Sequence, residues 1–202
     1  MSIFIIQGLA LGFTAAVQPG PFMAYLITQT LSQGFRRTWI AAFAPLISDG
    51  PIITLALLVL VQMPEWLKRG LNIASGLFIL YLAWSSFRQW RNFVSPEESV
   101  QTGNKQNMLK AAMMNALSPM PYIYWSLVTG PILISAWHES PIYGVGFMVS
   151  FYLVLIGGLL GILAVFGSAR SLGSKVSRAL LGVSVLALGV FGCIQLWRGV
   201  FL

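Results

Sequence analysis

Apolar residues along the chain gather into six runs, at about 3–31, 39–62, 70–90, 108–135, 142–167 and 177–197. Each is long enough to cross a bilayer at roughly 20 residues per helix. The connections are short, apart from a polar stretch at 92–107 that carries Pro96, Glu97, Glu98 and Lys105. That stretch reads as a linker between a first three-helix repeat, 1–91, and a second, 108–202. Three crossings in each half force the second half to enter the membrane from the opposite side. Gly76 and Gln89 in the third run and Gly182 and Gln195 in the sixth share one spacing, which agrees with a repeat. The pattern predicts an all-α membrane protein with six transmembrane helices arranged as two inverted three-helix repeats.

Two of these helices are interrupted from within. Gln18-Pro19-Gly20-Pro21 falls inside the first run and Ser118-Pro119-Met120-Pro121 inside the fourth. Two prolines in three residues remove two backbone donors and clash with the preceding turn, so helices one and four are expected to break at Pro-x-Pro. At membrane depth such a break survives only where it is buried in protein or lines a wet cavity. Paired broken helices in corresponding positions of two halves are a mark of transporters built from repeats.

Composition removes the soluble alternatives. The 202 residues are 57% hydrophobic and 8% charged, too apolar for a domain with a polar coat. The net charge of +7 would suit nucleic acid, but the basic residues flank apolar runs, so it reads as topology and no nucleic-acid partner is expected. Arg36, Arg37, Arg88, Arg91, Lys105, Lys110, Arg170, Lys175 and Arg178 lie at connections one, three and five. Only Lys68, Arg69 and Arg198 lie on the other side. By the positive-inside rule the linker is cytoplasmic and both termini are outside. The first run carries no Lys or Arg before Arg36 and is too long for a cleaved signal, so it reads as a retained helix. The single Cys193 excludes an intrachain disulfide.

Four of the five acidic residues, Glu65, Glu97, Glu98 and Glu139, fall in connections, and the fifth, Asp49, falls in the middle of the second run. An ionised carboxylate there costs at least ~2.5–3.5 kcal/mol, so it requires compensation. Pro45 one turn before it, and Gly50-Pro51 directly after, point to a cavity in which Asp49 takes up and releases a proton. The alternative is a packing role through hydrogen bonds to a neighbouring helix.

A helix restarting after Pro19-Gly20-Pro21 turns the donors of Phe22, Met23 and Ala24, and the positive end of its dipole, toward the break, where a carboxylate can sit. Gln18 can add an amide contact. Asn115, one turn before Pro119, suits either a released carbonyl or the substrate. Tyr122, Tyr124 and Trp125 can wall an apolar pocket. Gly157, Gly158, Gly161, Gly182, Gly189 and Gly192 read as close-packing positions. His138 stands beside Glu139 without a third ligand or a triad partner, so no metal site, cofactor or catalytic set is expected.

Pro19-Gly20-Pro21, Gly34 just after the first run, Asp49 and the Asn-x-x-x-Pro of Asn115 and Pro119 resemble the LysE/RhtB family of amino-acid exporters over nearly the whole chain. The resemblance implies a dimeric carrier of the bacterial inner membrane, driven by the proton gradient, with Pro19, Gly20, Pro21, Asp49, Asn115 and Pro119 at the family's motif positions. Two departures bear on substrate. Many members carry Asn-Pro-Lys in the fourth helix, where this chain has Ser118-Pro119-Met120, and the small glycines before the second-helix Asp are here Ala41, Ala42 and Ala44. A basic amino acid is not implied.

The expectation is a proton antiporter, not an enzyme, that exports amino acids or related small zwitterions, with few fixed charges pointing to an apolar side chain. The substrate-binding candidates are Gln18, Pro19, Gly20, Pro21, Phe22, Asn115, Pro119, Tyr122 and Trp125, and Asp49 is the proton-coupling candidate. A divalent-cation exporter is one alternative, although the runs supply only one Asp and one Cys. A non-transporting membrane scaffold is another.

Overall fold

The computed structural model describes residues 2–58, 65–91, 104–169 and 174–201. Pro96, Glu97 and Glu98 of the expected linker, Arg170, and the 59–62 end of the second run lie outside the described residues. Every described element is helical.

Helix α1, Ser2–Val17, stops at Gln18, and α2, Pro21–Gln33, restarts at an axis bent by 64°. Gly20 is extended at the new N-cap and Pro21 takes the first helical position, where a missing donor costs nothing. Gly34 ends α2 at φ 86°, a left-handed value that favours glycine, while its N–H bonds the Thr30 carbonyl at 2.8 Å. The chain then runs through α3, Phe35–Thr38, a 3₁₀ segment, Trp39–Phe43, and α4, Ala44–Leu58, with Pro51 inside it. Helix α5 is Glu65–Arg91.

The fourth apolar run is the most divided. It comprises α6, Asn104–Leu117, an extended Ser118, α7, Pro119–Tyr124, a π turn, Trp125–Thr129, and α8, Gly130–Glu139. Two long helices finish the chain, α9, Pro141–Ala169, and α10, Ser174–Phe201. Four helical spans are long and apolar enough to cross a membrane among the described residues, or five with the bent α1–α2 pair. The sequence pattern predicts six. The difference is the fourth run, which the extended Ser118 splits and which Pro119, Pro121, the π turn and Gly130-Pro131 interrupt. The expected linker also shortens, because α6 begins at Asn104 and takes its last four residues.

Two helix pairs dominate the packing, α1 with α9 and α5 with α10. Glycine sets the first of these: a Cβ on Gly8 would lie 2.6 Å from the Phe147 carbonyl oxygen, so only hydrogen fits. In the second pair, a Cβ on Gly76 would lie 2.8 Å from Leu196 N, and one on Gly182 would lie 2.9 Å from the Trp90 indole nitrogen. Gly158 and Gly192 also meet close neighbours, whereas Gly157, Gly161 and Gly189 face open space, so close packing explains only half of the glycines named from sequence. Outward positions such as Leu153, Val165 and Leu186 leave large apolar side chains exposed, as a lipid-facing surface requires.

Candidate substrate cavity

A cavity of about 420 Å³ lies between the two helix breaks. The first break contributes Gln18, Pro19, Gly20, Pro21 and Phe22 to its wall, and the second contributes Ser118, Pro119 and Pro121. Asp49, Asn115 and Trp125 line it as well. Irregular backbone at membrane depth thus faces a cavity within the protein, which is a condition for its persistence.

At the first break the usable donors are fewer than the sequence implies. Ala24 N–H bonds the Gly20 carbonyl at 2.9 Å, closing the first turn of α2, so it is not free for a ligand. Phe22 and Met23 precede that bond and have no intrahelical acceptor. Gly20 offers no side-chain cap, and both residues line the cavity. Helix α2 therefore presents two backbone N–H groups and its positive end to this space.

Asp49 lies on α4 and is only 4% exposed. Asn115 of α6 donates from Nδ2 to Asp49 Oδ1 at 2.8 Å, and the Tyr152 hydroxyl of α9 donates to Oδ2 at 3.0 Å. The second Asn115 Nδ2 hydrogen reaches Ser48 Oγ at 2.8 Å, while the Ser48 hydroxyl donates to the Ala44 carbonyl at 3.1 Å. Hydrogen bonds to a charged group contribute about 1.5–3 kcal/mol each. Two of them match the burial cost of roughly 2.5–3.5 kcal/mol, so this environment can hold the carboxylate ionised. The Trp125 ring, 1% exposed, stacks on Tyr152 with centroids 6.5 Å apart and fixes that phenol from behind.

The second break caps itself. Ser118 N–H is shared between the Met114 and Asn115 carbonyls, at 3.1 and 3.2 Å. The released Ala116 carbonyl accepts from the Tyr122 hydroxyl at 2.9 Å. Tyr122 therefore turns back onto the broken helix and is not on the cavity wall, in contrast to the expectation from sequence. It also takes the carbonyl-capping role considered for Asn115, whose amide is spent on Ser48 and Asp49. Tyr124 lines the cavity and ties α7 to α1 through its hydroxyl and the Leu11 carbonyl, at 3.0 Å. The π turn that follows rotates Trp125 inward, and the Thr129 hydroxyl bonds the Tyr124 carbonyl five residues back at 3.2 Å.

Nine of the ten residues singled out from sequence thus meet at one cavity, with Tyr122 as the exception. Sequence reasoning missed Ser48, Tyr152, Asn72, Gln195 and Arg198. Ser48 adjoins Asp49 and could have been found by proximity. Gln195 and Arg198 stand three apart in an apolar helix, a polar pair on one face. Tyr152 carries no local signal. Among the described residues no three His, Cys, Asp or Glu side chains come together to hold a metal ion, so the cation-export alternative gains no support.

A family model described as LysE type translocator matches residues 13–198. Neither a curated protein nor a solved structure gives a significant match.

Proposed function

The chain belongs to the LysE type translocator family, and from that premise we propose that it exports amino acids or closely related small zwitterionic metabolites by proton antiport with alternating access. Family membership makes it a multi-pass membrane transporter and not an enzyme. The observation that carries the finer reading is the buried Asp49 carboxylate on the wall of a cavity bounded by two broken helices, held by one donor from α6 and one from α9.

Protonation changes what that carboxylate can do. An ionised Oδ2 accepts from Tyr152, whereas a protonated one must donate, and the phenol has to turn its own proton away. The tie between α4 and α9 then falls from a charge-assisted bond to a neutral one, about half as strong. Such a change in one cross-helix tie is the kind of bias that shifts a two-state packing. The substrate carboxylate sits at the Phe22 and Met23 amides, and the apolar wall that includes Phe151, Leu155 and Leu159 takes its carbon skeleton.

Two inverted repeats give the alternation its symmetry. The contacts Gly76–Leu196 and Gly182–Trp90 support this reading, because adding 106 to one member of the first pair and subtracting 106 from the other yields the second. An antiparallel α5–α10 pair related by a two-fold axis produces such reciprocal contacts. In this reading the protein resides in a bacterial inner membrane with both termini outside.

The test is export of a panel of amino acids from cells loaded with dipeptides, with and without the chain. Faster exit of at least one amino acid only when the chain is present is the expected result. If no amino acid responds, the amino-acid reading falls.

A further inference from the structure

Asn72 of α5, and Gln195 and Arg198 of α10, line the cavity wall outside the Asp49 network. Gln195 is 6% exposed and has no hydrogen-bond partner among the described residues. Asn72 lines the wall beside it. Buried amides in proteins are paired almost without exception, so the unpaired Gln195 amide on the wall of a cavity points to a partner that enters the cavity.

The helices bring these three residues to one level. Gln195 and Arg198 are spaced i, i+3 and share a face of α10. Across from them, a Cβ on Gly199 would lie 2.9 Å from Ile73 N, as a Cβ on Gly76 would crowd Leu196 N, so the α5 and α10 backbones nearly touch between residues 72–76 and 195–199. Asn72 faces the same cavity from that contact. A cation in the last turn of α10 also complements the helix dipole and suits the membrane interface, but neither effect calls for Gln195 or Asn72.

Resting on the export reading above, we propose that Asn72, Gln195 and Arg198 form a second recognition point that takes a side-chain carboxylate, so that the carrier prefers an acidic amino acid to a neutral one of the same size. The guanidinium presents a planar fork that matches a carboxylate, and the two amides supply further donors. The carboxylate on the substrate backbone remains at the start of α2. This replaces the apolar side chain expected from sequence, where Arg198 counts only toward topology.

The test uses full-length protein in proteoliposomes and compares counterflow of labelled glutamate and glutamine, which differ in charge and hardly in size. Glutamate flux about tenfold or more above glutamine is expected, the factor that one charge-assisted bond supplies. Arg198→Gln and Gln195→Leu should each lower glutamate flux several-fold more than glutamine flux, and Arg198→Lys should keep part of the preference. Glutamine flux without a glutamate preference, or equal loss of both substrates in Arg198→Gln, would overturn this proposal and leave export standing. No flux of any amino acid would overturn both.

Discussion

Replacing Asp49 by Asn separates a coupling role from a packing role, because the two predict different pairs of results. The side chain keeps its shape, and Asn115 and Tyr152 can each reorient to meet a neutral amide, so both contacts at 2.8 and 3.0 Å persist. Two charge-assisted bonds, at about 1.5–3 kcal/mol each, become neutral bonds at about 0.5–1.5 kcal/mol, a loss of roughly 2–3 kcal/mol. Against this, the variant no longer buries a carboxylate, which returns about 2.5–3.5 kcal/mol. The two terms nearly cancel. Thermal unfolding of the detergent-solubilised variant should therefore fall within about 1 kcal/mol of the native protein, while proton-coupled export is abolished at matched membrane abundance. Native export rates in Asp49→Asn would refute the coupling role. A loss of stability well above that margin would instead identify the carboxylate as a structural tie.

Tyr152→Phe keeps the ring on Trp125 but removes the donor to Oδ2, so export should fall and stability should drop by about 1.5–3 kcal/mol, as measured by transport in proteoliposomes and by thermal unfolding. Gly12→Leu forces a side chain into the Phe151 backbone at the α1–α9 contact, and overpacking of at least about 1–3 kcal/mol should lower thermal stability measurably. Gln33 links two neighbours, donating to Gln29 Oε1 at 2.6 Å and accepting from Asn107 Nδ2 at 2.8 Å. Gln33→Leu strands the buried Gln29 Oε1 and leaves Asn107 Nδ2 only its 3.4 Å bond to the Arg37 carbonyl, so thermal unfolding should show a loss of about 1–3 kcal/mol.

What the sequence reveals of this protein is what local chemistry reveals. Proline acts on its own turn, so the interruptions at 18–21 and 118–121 are visible without any tertiary information, and the cost of a carboxylate in an apolar run marks Asp49. Direction is harder. Tyr122 and Trp125 stand three apart in one aromatic cluster, yet a capped carbonyl turns the first back and a π turn sends the second inward. Tyr152 looks like any aromatic in a 29-residue apolar helix, and its role exists only because the fold brings its hydroxyl to Asp49, 103 positions away. Arg198 illustrates a residue type with two meanings: at a helix end it reads as topology, and its place on the cavity wall follows only from the close approach of α5 and α10. The division of the fourth run also escapes a count of apolar residues, because hydropathy does not register where backbone bonding changes period.

The most direct test of the central claim is a proteoliposome carrying a pH-sensitive dye inside, loaded with an amino acid found to be exported and placed in amino-acid-free buffer. The account predicts that amino-acid efflux brings protons inward, that the internal signal acidifies only when native protein is present, and that Asp49→Asn abolishes this linkage. Amino-acid efflux with no accompanying proton movement would contradict it.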